Sequence, residues 1–166
     1  SRVEVGEEPK KAQTEYGYSN PAPIGTAQTL TTENILQKYT IEMSVNEIIR
    51  GDKAWEMIKE ANMFNKPAKE GYEYLLAKIY FKVLDVNEGQ AYRLSSFNIN
   101  LISSDGKEYE YSSAVTPEPA LDATLYKGAS HEGWAVYEVK KDAPEPKLVF
   151  GRNYDGSGGI WFKTTK

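Results

Sequence analysis

The sequence predicts a mainly β protein: an antiparallel β-sandwich or barrel of about eight or nine strands, with one short helix inserted between early strands. Three observations carry that reading. Several segments alternate apolar and polar residues with period two. Turn-forming residues punctuate them every 8–12 positions. Only one segment has helical spacing, and nothing alternates strand with helix as a parallel α/β fold would. The chain has 166 residues, 40% hydrophobic and 27% charged. That length and balance suffice for one domain with its own core.

Residues 1–22 are polar, carry Pro9 and Pro21, and show no periodicity. They read as a poorly ordered N-terminal tether, with "EYGYSNPAPIG" able to dock at its end, and the folded domain is expected over residues 23–166. The start "SRVEVGEEPKK" has no export-signal pattern and reads as mature or trimmed.

The first clear strand is "YTIEMSVN", where Tyr39, Ile41, Met43 and Val45 alternate with polar residues. Ile48 then breaks the phase, which a bulge near Asn46 and Glu47 explains. "GDKAWEMIKEAN" is the helix, with Asp52 as its expected N-cap and Trp55, Ile58 and Ala61 as its apolar face. "YEYLLAKIYFKVLDV" is the strongest strand, with Leu75, Ala77, Ile79, Phe81 and Val83 on one face. "YRLSSFNINLIS" and "KEYEYSSAV" flank Asp105-Gly106, which predicts a type I′ hairpin. Phe97, Ile99 and Leu101 are expected to face its core side. "WAVYEV" is apolar on both faces and reads as a central strand, with "KKDAPEP" as the hairpin connection after it. "KLVFG" and "GIWFKT" close the chain.

Six stretches, in order, are "NPAPIG", "YTIEMSVNEIIRG", "FNKPAKEGYEYLLAKIYFKVLDV", "FNINLISSDGKEY", "LYKGASHEGWAVYEV" and "GIWF". Together they resemble a domain-of-unknown-function family of secreted and lipid-anchored proteins from Gram-positive bacteria. The resemblance covers about residues 20–164. It implies a telokin-like, immunoglobulin-like β-sandwich, located outside the cell and attached to the outer face of the membrane through an N-terminal lipid anchor. No such anchor lies in this chain, and the family brings no catalytic residues to carry over. A fold of this kind hosts many functions.

Composition narrows the chemistry. Lysine plus arginine is 20 and aspartate plus glutamate is 24, a net charge of −4. That lacks the positive field which phosphate backbones reward and argues against nucleic acid. The twelve tyrosines suit half-buried strands better than base stacking. There is no cysteine, hence no disulfide, thiol nucleophile or sulfur-ligated zinc. No apolar run approaches the ~20 residues needed to span a bilayer.

Candidate site residues are few. Ser130, His131 and Glu132 are consecutive, but neighbours on extended chain point to opposite faces and cannot relay a proton, so His131 reads as a polar loop residue. Glu108 and Glu110 share a strand face and read as solvated surface, although a carboxylate pair could serve acid–base chemistry. "NYDGSGGI" follows half an EF-hand rhythm, with Asn153, Asp155 and Ser157 at positions one, three and five. Position twelve is Thr164, which offers no bidentate carboxylate. Asp155 is therefore the single candidate metal ligand, and the stretch reads as a turn. Trp55, Met57, Met63 and Phe64 cluster at the helix and its exit, either capping one end of the sandwich or forming an interaction patch. The expectation is a non-enzymatic extracytoplasmic domain without cofactor, binding a protein, peptide or cell-wall component. The alternatives are a secreted carboxylate-dependent enzyme or enzyme inhibitor, and a weakly calcium-dependent adhesion module.

Overall fold

Nine strands and one α-helix stand among residues 15–166, the residues described by the computed structural model. Residues 1–14, most of the expected arm, lie outside the described residues. The strands are β1 (Gln28–Glu33), β2 (Lys38–Arg50), β3 (Tyr72–Val86), β4 (Tyr92–Leu94), β5 (Ile99–Ile102), β6 (Ala123–Leu125), β7 (Ser130–Lys140), β8 (Lys147–Arg152) and β9 (Gly158–Lys163), with α1 over Asp52–Ala61. One sheet has the order β1-β2-β3-β7 and the other β5-β8-β9, while β4 pairs with β6 in a ribbon. All these pairings are antiparallel. The fold is the mainly β sandwich that the alternation predicts.

The core lies between the two sheets. Ile41, Met43, Val45, Leu75, Ala77, Ile79, Phe81 and Val83 turn inward from β2 and β3 and meet Ile99, Leu101, Leu148, Phe150, Ile160 and Phe162. Each large side chain buried there stabilises the fold by about 1.5–3 kcal/mol. Across that core the Tyr137 hydroxyl of β7 donates to the Ile99 carbonyl of β5 at 2.9 Å, a buried polar link between the sheets. The β2 bulge falls where the phase slips: Val45 pairs with Ile79 and Glu47 with Lys78, leaving Asn46 extra.

Several expectations need correcting. β1 carries one apolar residue, Leu30, in "QTLTTE", too weak an alternation to read as a strand; pairing with β2 defines it. Gly51, not Asp52, caps α1, because the chain turns there with φ 79°, a backbone state that favours glycine. Ala54 and Ile58 are the buried residues of the helix, and Ala61 is exposed. β7 lies at the end of its sheet, not at its centre. It is apolar on both faces because α1 covers the outside, where Ala54 and Ile58 pack with Tyr74, Leu76, Trp134 and Val136. A strap over residues 119–121 covers its free edge: Trp134 N–H donates to the Pro119 carbonyl and Leu121 N–H to the Trp134 carbonyl. "KKDAPEP" is no hairpin; it carries the chain from β7 in one sheet to β8 in the other.

The Asp105-Gly106 turn is real but of another type. Gly106 has φ 89°, and no non-glycine residue among those described has positive φ, so a type I′ turn is excluded. Gly106 N–H donates to the Ser103 carbonyl and Ser103 N–H to the Lys107 carbonyl, a three-residue loop closed by a left-handed glycine. "KEYEY" does not continue as a strand; only isolated bridges such as Ile102 with Glu108 tie it to β5.

Residues 15–22, within the stretch "EYGYSNPAPIG", dock on the sandwich. Ala22 is buried and lies parallel to β9, its N–H donating to the Trp161 carbonyl while Lys163 N–H donates back to Ala22. Tyr18 stands edge-on to Trp161 at 5.0 Å and lies beneath the Lys147 ammonium at 4.1 Å.

Two substitutions test this architecture by thermal or urea unfolding. Tyr137→Phe removes the buried inter-sheet hydrogen bond and is expected to cost about 1–3 kcal/mol. Gly133→Ala places a methyl group 2.4 Å from the Ala120 carbonyl oxygen of the strap. It is expected to cost a further, independent ~1–3 kcal/mol of strain. Wild-type stability in both variants contradicts the account of how β7 is held.

Candidate functional site at the loop end

Four connections gather at one end of the sandwich: residues 34–37 between β1 and β2, residues 87–91 between β3 and β4, the 3₁₀ turn Ser96–Asn98, and residues 153–157 between β8 and β9. Side chains fix these loops. Asn34 Oδ1 accepts the Leu36 and Gln37 N–H groups, and Asn87 Oδ1 accepts the Lys38 N–H at 2.7 Å. Gln37 Nε2 bridges to Gln90 Oε1 and the Ala91 carbonyl. Ser95 Oγ caps the 3₁₀ turn by accepting Phe97 N–H, and Asp122 Oδ1 accepts Ser96 N–H.

Between these loops lies a hollow of about 600 Å³, lined among others by Tyr39, Tyr92, Phe97, Asn98 and Tyr154. Its floor is the end of the core. Tyr92 stacks on Phe81 at 5.4 Å, meets Phe150 edge-on at 6.3 Å and packs with Tyr39 at 4.7 Å. Burial pushes the Tyr92 and Tyr39 hydroxyls above their ordinary pKa, so both stay neutral. Its rim is exposed aromatic surface: Phe97 is 60% exposed and Tyr154 fully so. Phe97 is held edge-on to Tyr111 at 4.7 Å, whose hydroxyl donates to the Phe97 carbonyl at 2.8 Å. The sequence expectation that Phe97 faces the core is thereby corrected. The 3₁₀ turn rotates Phe97 outward before β5 begins at Ile99.

The two charged side chains lining this hollow are already engaged. Arg152 is ion-paired with Glu108. Asp155 Oδ1 accepts the Ser157 hydroxyl at 2.5 Å and the Ser157 N–H at 3.0 Å. Those bonds hold the Asp155 carboxyl below the usual aspartate range. The β8–β9 loop repeats the geometry of Ser103–Lys107: Gly156 N–H donates to the Asn153 carbonyl and Asn153 N–H to the Ser157 carbonyl. The half EF-hand rhythm is therefore the polar punctuation of a hairpin loop, and Asp155 folds back on that loop. Among the described residues no group of three or more His, Asp or Glu side chains is placed to share a metal ion.

The other candidates are dispersed. Trp55 and Met57 pack partly buried against the sheet under α1, whereas Met63 and Phe64 are exposed beyond the helix. The four therefore do not form one exposed surface. His131 is a strand residue, not a loop residue: it lies in β7, with Nε2 2.7 Å from the Ala120 carbonyl oxygen. Ser130 and Glu132 oppose Lys82 and Tyr80 in the β3 register and flank His131 on either side along the strand. Glu110 lines a separate cleft of about 530 Å³ with Lys69, Lys140, Glu138 and Asp142, where Glu138 Oε1 is occupied by the Lys69 N–H. Sequence reasoning did not single out Tyr39, Tyr92, Asn98 or Tyr154 as site residues. The legible signals were local: the paired serines before Phe97, and Tyr154 at the apex of a loop closed by Asp-Gly.

The chain belongs to the family described as Domain of unknown function (DUF4352), whose profile matches residues 31–161. It matches no curated protein sequence. Among solved structures it is similar to MPT63, a secreted protein from Mycobacterium tuberculosis, with TM-score 0.55 and 13% identity over 86% of this chain and 97% of that one. It is also similar to a protein from Bacillus subtilis described as a "putative lipoprotein", with TM-score 0.50 and 13% identity over 81% of this chain. The match spans only 40% of that Bacillus chain. An uncharacterised β-sandwich protein from Clostridium difficile matches with TM-score 0.47 and 16% identity over 95% of this chain and all of that one. At these identities the likeness is one of fold.

The Asp155 geometry predicts a titration. Hydrogen bonds to the ionised form depress its folded pKa, so the contribution is present above the unfolded aspartate pKa and is lost as pH falls through the lower folded value. By NMR the Asp155 carboxyl should titrate below the usual aspartate range, and Ser157→Ala should move it upward. No movement in that variant contradicts the assigned cause. Thermal melts with millimolar calcium and with chelator should superimpose, since a carboxylate turned onto its own loop gives the ion little to bind. A calcium-dependent rise in Tm contradicts this.

Proposed function

We propose that this domain is a non-enzymatic binding module acting outside the cell, and that its ligand docks at the loop end of the sandwich. One observation carries the reading: a hollow rimmed by exposed aromatics, Phe97 held edge-on by Tyr111 and Tyr154 on the β8–β9 loop, over a packed aromatic floor. Exposed aromatic surface held in place before binding loses little freedom on docking. Sandwich loops at one end are a recurrent place for recognition, because the sheets hold them while their sequence is free to vary.

The extracytoplasmic setting is supported by the family resemblance and by the secreted and lipoprotein descriptions of the fold neighbours. A lipid anchor upstream, as the family resemblance implies, is part of this proposal. Tyr18 accepts a hydrogen bond from Lys147, the first residue of β8, whereas the candidate site follows Arg152, the last. At about 3.3 Å per residue the strand separates them by roughly 17 Å. The docked segment at Tyr18 therefore sits away from the loop end. The carboxylate-dependent alternative, whose candidate pair is Glu108 and Glu110, has less support, since Glu108 is ion-paired with Arg152.

The test compares wild type with a Phe97→Ala/Tyr154→Ala double variant, whose exposed positions leave stability within about 0.5 kcal/mol. Isolated cell walls and a solubilised envelope extract should retain or yield a ligand for wild type and not for the variant. Equal retention by both, or by neither, contradicts the loop-end reading.

A further inference from the structure

We infer that the loop-end hollow takes an uncharged oligosaccharide, an inference that rests on the loop-end reading above and names its ligand class. The first support is charge. The Arg152 guanidinium is paired with Glu108, and the one other charge in the lining, the Asp155 carboxylate, has Oδ1 held by Ser157, so the hollow presents one solvated carboxylate and no unpaired cation. The neighbouring cleft differs, since Lys69, Lys107, Lys140, Glu110 and Asp142 all line it. A charged ligand would be better served there, and an uncharged one loses nothing in the hollow.

The second support is the lining. Tyr39, Phe97 and Tyr154 give aromatic surface, and Asn98, Asn100 and Asn153 give carboxamides beside it. Asn100 Nδ2 donates to the Tyr111 hydroxyl and Asn153 Nδ2 to Ser157 Oγ, which leaves each an oxygen acceptor. A pyranose ring presents C–H groups on a flat face and hydroxyls around its edge. Aromatic rings satisfy the face and neutral amides the edge.

The third support disfavours a peptide strand. Peptide capture by strand addition needs unpaired backbone groups, and here the loop backbones are engaged in their own turns. Asn98 N–H donates to the Ser95 carbonyl, Gly156 N–H to Asn153, Asn153 N–H to Ser157, and the Leu36 and Gln37 N–H groups to Asn34. Recognition at this end is left to side chains.

The test is calorimetric titration of the whole chain with the neutral N-acetylglucosamine tetramer and with maltotetraose. Backbone NMR shifts locate the site. At least one neutral sugar should bind, with shifts confined to residues 96–100 and 152–157. The affinity should change little between low and high salt, because no ion pair forms. Phe97→Ala and Tyr154→Ala should each weaken it about tenfold. The inference is overturned by no binding of either sugar at millimolar concentration. Binding that survives both substitutions, or shifts that map to the Glu138 cleft, overturns it equally. If neither sugar binds but cell walls or envelope extract still distinguish wild type from the double variant, the loop-end reading stands and the sugar assignment falls. If that difference is also missing, both fall.

Discussion

The contact on which the rest depends is the aromatic stack where the two sheets meet at the loop end. Phe81 of β3 and Phe150 of β8 touch edge-on at 5.3 Å, and Tyr92 closes over both. Phe81 and Phe150 lie in different sheets, so their contact fixes how the sheets face one another. Tyr92 belongs to the short β4–β6 ribbon and anchors it to the core. The same ring is the floor of the hollow. Core packing and site shape are one arrangement of side chains seen from two sides.

Most of the sheet interior was readable because period-two alternation fixes which face turns inward: the residues assigned inward on β3 are all buried between the sheets, while Tyr74 and Leu76 of its other face are buried by α1. The bulge at Asn46 was readable for the same reason, as a break of phase. What escaped depended on partners distant in the chain. β7 looks central by its composition, but its second apolar face meets a helix nearly eighty residues earlier in the chain. β1 and β6 are too short and polar to announce themselves, and exist as ladders against β2 and β4. Phe97 was misassigned because a single 3₁₀ turn changes the phase of the side chains, and alternation alone cannot register a change of backbone state.

The candidate site was less legible than the fold. Tyr39 and Tyr92 alternate like any strand residues, and only the sandwich brings them beside Tyr154, more than sixty residues away. The stretch "NYDGSGGI" drew attention as a metal rhythm. In the structure its acidic residue organises a loop, and that loop carries Tyr154. Asp105 plays the same part in the Ser103–Lys107 loop by accepting the Ser103 hydroxyl. In both loops the Asp-Gly pair is a device for turning the chain, and its carboxylate belongs to the backbone geometry.

The central claim is that the loop end, with its aromatic rim and neighbouring carboxamides, is where this domain meets its ligand. The most direct measurement is a crystal structure of the domain soaked with the neutral N-acetylglucosamine tetramer. The account predicts sugar density between Phe97 and Tyr154, with hydroxyls facing Asn98 and Asn153 and the Arg152–Glu108 pair intact. An empty hollow with sugar seated in the Glu138–Lys140 cleft would contradict it.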